Sequence, residues 1–261
     1  MRGIIACLKL ALFMFWCVIT IPAQLIILLF TKGSAAYVLP QLWHKAVCWT
    51  FRISVEVEGT PERDNQVIFV SNHLSYLDIP VIASMLPVSF VAKKEVASWP
   101  LFGLLAKLQQ TYFIDRSISA LRKEEGQLKH RLNDGKSLII FPEGTSSDGQ
   151  SVLPFKSSLF GIVLDAKNPP DIQPFTIELA MVNNHEVSSQ EDRDLYTWHG
   201  DMTLAPHLWH FAKNKGAKVK LHFHDLIRVK EYSSRKDLAQ ISYNSVAKSE
   251  LETEILEAKA V

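Results

Sequence analysis

Within the stretch Val67–Asp78, VIFVSNHLSYLD, a histidine and an aspartate are separated by four residues, just behind a short apolar run. A carboxylate on one imidazole nitrogen fixes the tautomer and leaves the other nitrogen as a base, which equips His73 for general-base work. The run Val67, Ile68, Phe69, Val70 has the pattern of a strand buried on both faces. The residues that follow, among them Ser71, Asn72, His73, Ser75 and Asp78, are abruptly polar. Polar groups behind a buried strand lie at its C-terminal edge, where open α/β sheets bind ligands. If Asp78 opens a helix over Ile79–Leu86, the intervening turn can return its carboxylate to the imidazole. The competing reading gives the two residues only structural jobs, as a strand-terminal histidine and a helix N-cap. The pair alone does not choose between them.

Two further strands end in the same manner. Thr111–Ile114 runs into Asp115 and Arg116, and Ser137–Phe141 runs into Pro142, Glu143, Gly144 and Thr145. Singly, these could be a surface ion pair and a turn. Three polar strand ends converging on one sheet edge favour a functional site. The C-terminal third offers a rival chemistry. His207 and His210 stand at helical i, i+3 spacing, and His222 and His224 share one face of a strand, so a metallohydrolase is conceivable. No HExxH motif or cysteine pair joins them, and core or interface histidines with no metal are the stronger expectation.

The elements that must position these groups alternate. Ile53–Glu58, Val67–Val70, Val88–Ala92, Thr111–Ile114, Ser137–Phe141 and Ile172–Glu178 read as strands, the first of them an edge or half-exposed one. Trp99–Leu108, Ala120–Leu132 and Leu159–Ala166 read as helices, and Asp237–Val261 as a polar, peripheral one. The expected fold is therefore α/β, a mostly parallel sheet flanked by helices. Ahead of it, Leu10–Phe30 is almost wholly apolar and long enough to cross a bilayer once. It exceeds the usual length of a secretory signal core, so a retained anchor is expected, with Pro22 able to kink it into a re-entrant hairpin. The tryptophans of Tyr37–Phe51 suit a membrane interface or a core helix equally. The expected division is a membrane-anchoring helical segment over 1–52 and an α/β domain over 53–261. A net charge of +1 gives no argument for nucleic acid. Three cysteines without a CxxC fit a reducing compartment and no sulfur-built metal site.

Taken in order, these residues carry a resemblance. Asn72-His73 with Asp78, then Phe113-Ile114-Asp115-Arg116, then Phe141-Pro142-Glu143-Gly144-Thr145, then Pro174 are similar to the four ordered motifs of the glycerolipid acyltransferases. That family contains 1-acylglycerol-3-phosphate acyltransferase. The likeness runs from about Val47 to Val182, and the order and spacing of the first three motifs make it specific. It implies that His73 deprotonates an acceptor hydroxyl while Asp78 supports it. The activated oxygen would attack an acyl thioester on coenzyme A or acyl carrier protein, with no cofactor and no acyl-enzyme, which leaves Ser75 structural. Asn72, Asp115, Arg116, Glu143, Gly144 and Thr145 carry over as substrate-binding residues, and Lys156 stands near enough to add charge. Membrane lipids are the implied partners, with the catalytic domain on the cytoplasmic face of the inner membrane.

The chain also departs from the family pattern. Arg commonly follows the Glu-Gly-Thr motif, where Ser146-Ser147 stand here, so a guanidinium suited to a phosphate monoester is missing. Gln110 stands where glycine is common. The segments FPEGTSSDG and VLPFKSSLFG look like the lyso-ornithine lipid acyltransferase branch. Its acceptor carries a hydroxy-fatty acid and an amino-acid head instead of a phosphate.

Overall fold

All five residues of Val67–Ser71 are buried, and this strand lies near the centre of the sheet. The computed structural model describes residues 1–31, 34–114, 132 and 135–259, with backbone alone for Ser34 and residues 249–259. In chain order come helices α1 (Arg2–Phe30) and α2 (Val38–Phe51), strands β1 (Ile53–Glu58) and β2 (Val67–Ser71), helix α3 (Asp78–Met85), strand β3 (Ser89–Lys93), helix α4 (Phe102–Leu108) and strands β4 (Tyr112–Ile114) and β5 (Leu138–Ile140). Helix α5 (Ser158–Leu164), strands β6 (Asp171–Val182) and β7 (His185–Glu186), helices α6 (Gln190–Arg193) and α7 (Leu204–Ala212), strand β8 (Ala217–Phe223) and helix α8 (Arg235–Lys259) follow.

The strands are ordered β1-β8-β6-β2-β5-β3-β4, with β7 paired to β6. β2 is parallel to β5 and β6, and β3 is parallel to β4 and β5. The antiparallel pairing of β6 with β8 reverses the β8–β1 end of the sheet, and β7 is also antiparallel to β6. The C-terminal ends of β2, β4 and β5 consequently meet at one edge. Alternation along β2 explains its apolar run. Val67 and Phe69 enter one core with α1, α2 and α3, while Ile68 and Val70 enter another with α5 and α8.

Several elements differ from expectation. The helix expected from Trp99 begins at Phe102, because Pro100 and then Leu101, at φ 59°, interrupt it. The helix expected over Ala120–Leu132 lies outside the described residues except for Leu132, which is buried. The C-terminal helix is not peripheral along its first turns. Leu238, Ala239, Ser242 and Val246 are buried, and Thr176 Oγ donates to the Val246 carbonyl at 2.8 Å. Its polar composition concealed a narrow inward stripe.

α1 runs unbroken through Pro22, and the chain reverses after Phe30 instead of at the proline. α1 and α2 then pack as a helical hairpin, with Trp16 Nε1 donating to Thr50 Oγ at 3.1 Å and Phe13 edge-on to Phe51. Ala6, Phe13, Cys17, Val47 and Phe51 belong to the same core as the sheet, so the hairpin is built into the α/β body. The other side of α1 is an exposed apolar stripe, Ile4, Leu8, Val18, Ile26 and Leu29 among its residues. With a mean hydropathy of 2.5 over its most apolar window, the helix is long and apolar enough to enter a membrane.

Candidate active site

The chain leaving β2 folds back on itself before α3. Asp78, the first residue of α3 and fully buried, turns its carboxylate toward that loop and does not cap its own helix, whose N-cap is Leu77. Asp78 Oδ2 accepts hydrogen bonds from the backbone N–H groups of Leu74 at 2.7 Å and Ser75 at 2.9 Å. The same oxygen lies 2.8 Å from His73 Nδ1. Oδ1 accepts from the hydroxyl of Tyr196 at 3.1 Å. A buried carboxylate is tolerable only when its lone pairs are filled in this way. Because the carboxylate accepts, Nδ1 carries the imidazole proton and Nε2 keeps its lone pair. Nε2 has no hydrogen-bond partner among the described residues.

The loop after β5 holds the other side of His73. Glu143 Oε1 accepts from the His73 backbone N–H at 3.2 Å, and Ser147 N–H donates to the His73 carbonyl at 2.8 Å. Gly144 between them has φ 74°, the left-handed region that glycine enters without strain. The imidazole stacks on Phe141, centroids 4.1 Å apart, and Phe141 in turn stacks on Phe90. Ring and backbone together leave His73 little freedom.

His73 borders a cavity of about 320 Å³ that extends toward the α1–α2 hairpin. Its walls are largely aromatic and aliphatic, with Phe90, Trp99, Phe102 and Leu105 from the sheet side and Phe13 and Trp43 from the hairpin. Gly144, Thr145 and Ser146 stand at its polar end beside His73. A base facing an apolar cavity with polar groups at one end can take a proton from a hydroxyl whose reaction partner carries a hydrocarbon chain.

Not every residue expected at the site lines this cavity. Asn72 is buried, and its amide clamps β6: Nδ2 donates to the Ile177 carbonyl at 2.9 Å and Oδ1 accepts from Ile177 N–H at 2.8 Å. It fixes the end of β2 against its neighbour. Lys156 is exposed, with its backbone N–H on the Pro142 carbonyl at 3.0 Å, and it lies outside the cavity lining. Asp115 and Arg116 lie outside the described residues. Ser75 Oγ is sealed from solvent, in the floor under Asp78. Gln110, at the position where glycine is common, adopts φ 58°, the conformation that glycine would take without strain.

Sequence reasoning missed Tyr196, which is 118 positions from its partner. Burial, with the Asp78 charge adding to it, pushes its phenol well above the ordinary range, so it stays a donor. Its neighbour Trp198 donates its backbone N–H to Leu74 at 2.9 Å and lines the cavity, while Ser146 Oγ donates to the Trp198 carbonyl. The only signal was the aromatic-rich character of Tyr196–Trp209. Three of the four histidines weighed as metal ligands are engaged elsewhere. His207 meets the Tyr76 hydroxyl at 3.0 Å and His224 meets Thr176 Oγ at 2.8 Å. His222 lies between Glu58 at 2.9 Å and Glu178 at 2.7 Å.

A carboxylate-held base at the C-terminal edge of a parallel sheet, open to an apolar cavity, is equipped to deprotonate a hydroxyl beside a hydrocarbon chain. The chain belongs to the Acyltransferase family, whose model matches residues 52–178. A lyso-ornithine lipid O-acyltransferase of Rhizobium meliloti is 33% identical over 209 residues, 78% of this chain and 71% of that protein. Another, of Brucella abortus, is 34% identical over 214 residues, 80% of each chain. A 1-acyl-sn-glycerol-3-phosphate acyltransferase of Neisseria gonorrhoeae is 31% identical over 173 residues, 66% of this chain and 64% of that protein. The crystal structure of the 1-acyl-sn-glycerophosphate acyltransferase PlsC of Thermotoga maritima shares the fold. Its TM-score is 0.70 at 24% identity, over 97% of this chain and 98% of that one.

Proposed function

We propose that this acyltransferase moves a fatty acyl group from a thioester of acyl carrier protein or coenzyme A to the hydroxyl of a lyso-lipid. The observation that carries the reading is His73, with Nδ1 tied to Asp78 and Nε2 open to the apolar cavity. The acceptor hydroxyl gives its proton to Nε2 as its oxygen attacks the thioester carbonyl. Asp78 keeps the ring oriented and stabilises the imidazolium formed. When the tetrahedral intermediate collapses, the carbon–sulfur bond breaks, the thiolate takes the proton back from His73, and the new ester leaves. Excluding water from the cavity protects the thioester from hydrolysis.

The acceptor we favour is lyso-ornithine lipid, the acceptor named for the Rhizobium and Brucella relatives. Ser146 supports this choice, because it stands where an arginine would clamp a phosphate monoester and its hydroxyl is turned away to the Trp198 carbonyl. The second reading, lysophosphatidic acid, takes its support from the Neisseria relative. We place the enzyme on the inner membrane with its α/β body on the cytoplasmic side. The exposed stripe of α1 would lie in lipid, and the free thiols of Cys7, Cys17 and Cys48 accord with a reducing compartment. The test offers full-length protein one acyl thioester with lyso-ornithine lipid and lysophosphatidic acid in competition. Thiol release and acylated products are followed by mass spectrometry. Preference for the ornithine acceptor is expected, and preference for the phosphate acceptor would return the enzyme to the second reading. Thioester hydrolysis without acylation of either would overturn the transfer itself.

A further inference from the structure

A second recess, of about 970 Å³, lies where the start of α1 meets the end of α2 and the beginning of β1, and it shares no lining residue with the active-site cavity. Arg2, Lys9, Arg52, Lys213 and Lys215 line it, and no aspartate or glutamate does. In a chain of net charge +1, that is a local concentration of one sign. None of the five forms an ion pair with a carboxylate among the described residues. Lys9 is the most telling. Only 7% of its surface is exposed, and its ammonium donates at 2.8 Å to a neutral group, the Asn214 carbonyl. Lysine is almost never buried without a counter-charge, and an anion in the recess would supply the one that Lys9 lacks among the described residues.

The recess has a fixed frame. Arg52 closes α2 at φ 59°, its carbonyl accepts from Ala217 N–H at 3.2 Å, and a Cβ on Gly216 would come within 2.2 Å of that oxygen. Asn183 ties the opposite wall, accepting from Lys215 N–H at 2.8 Å. The rim is apolar. Ile5 and Trp49 are 48% and 68% exposed and continue the lipid-facing stripe of α1, and tryptophan favours the level of lipid headgroups. The anion that would meet cations here, behind an apolar rim, is one carried by the membrane.

We propose that this recess holds the phosphate of an anionic phospholipid, at a site separate from the acceptor site at His73. The inference rests on the reading that α1 lies in the membrane, and the test separates the two. Full-length protein is sedimented with phosphatidylcholine vesicles, with and without phosphatidylglycerol, and retained lipid is read by native mass spectrometry. Wild type should prefer the anionic vesicles and retain phosphatidylglycerol. The combined variant Arg52→Gln, Lys213→Gln, Lys215→Gln should lose that preference by about fivefold for each cation removed, while still acylating acceptor in neutral detergent micelles. A control, Lys167→Gln, Lys230→Gln, Lys236→Gln, removes the same charge outside the recess and should bind like wild type. Equal losses in both variants would reduce the effect to net charge and overturn the site. Displacement by inorganic phosphate would assign the recess to the free anion and overturn the lipid. Equal binding of wild type to both vesicles overturns the recess alone, whereas binding to neither overturns the membrane reading and the recess with it.

Discussion

Tyr196→Phe removes a single hydroxyl from the support of the base and leaves the ring in place. Tyr196 and Asp78 are both fully buried, and their 3.1 Å contact fills Oδ1 of the carboxylate. The phenylalanine ring keeps the edge-on packing against Phe211, centroids 6.0 Å apart, so no cavity larger than the missing oxygen is created. A hydrogen bond to a charged group contributes about 1.5–3 kcal/mol. Asp78 retains three donors, His73 Nδ1 and the Leu74 and Ser75 N–H groups, so the carboxylate stays in place and only its rotation is released. If half or more of the lost energy acts on the orientation of the imidazole, kcat falls by about threefold to a hundredfold, at about 1.4 kcal/mol per decade. KM for the thioester should not change, because the donor's chain is held by the apolar walls and not by Tyr196. The assay is steady-state thiol release at saturating acceptor, with thermal unfolding followed in parallel. A Tyr196→Phe protein with lowered Tm and wild-type kcat would show that the hydroxyl serves the fold alone, and the positioning argument would be refuted.

Other substitutions probe the site and its surroundings. His73→Ala should lower the rate of acyl transfer by about 10²–10⁴-fold with the fold intact, since the imidazole is partly exposed and its backbone bonds remain; a folded variant with full activity would remove the base from the mechanism. Ser146→Arg should shift acceptor preference toward lysophosphatidic acid by about tenfold or more, as read in the competition assay, by supplying a charge-assisted donor to the phosphate. It should also lower Tm modestly, because the Ser146 contact to Trp198 is lost. His222 is raised above its ordinary value, first by its hydrogen bond to Glu178 and then against burial by Glu58, while Glu178 is lowered, first by His222. The histidine's contribution is therefore full below about pH 6.5 and fades as pH rises through its raised value, and that of Glu178 fades as pH falls through its lowered value. His222→Gln should flatten the alkaline decline in urea midpoint, and identical pH profiles for wild type and variant would exclude this linkage.

Much of the architecture is local information. An uninterrupted apolar run such as Val67–Val70 specifies a strand covered on both faces, because neither pleat face tolerates water. The polar residues behind it, with four residues between His73 and Asp78, specify a turn whose two ends can meet, and the structure brings them to 2.8 Å. The apolar length of α1 and the short strands of the sheet were legible for the same reason, since spacing along the chain is spacing along an element. Other features needed the folded chain. Nothing near Asp78 in sequence announces Tyr196, nor does Phe141 announce a stack under His73; both arise because β5 and the loop before α7 return to the β2 edge. Asn72 reads as a site residue beside the histidine, yet its amide meets Ile177 across the sheet. The polar composition of α8 hid the stripe around Ser242 that packs against the sheet, and the apolar composition of α1 hid the inward-facing Phe13 and Lys9. Periodicity records that a face is to be covered. What covers it, which donor fills the last lone pair of a buried carboxylate, and where like charges gather are settled only when elements distant in sequence close on one another.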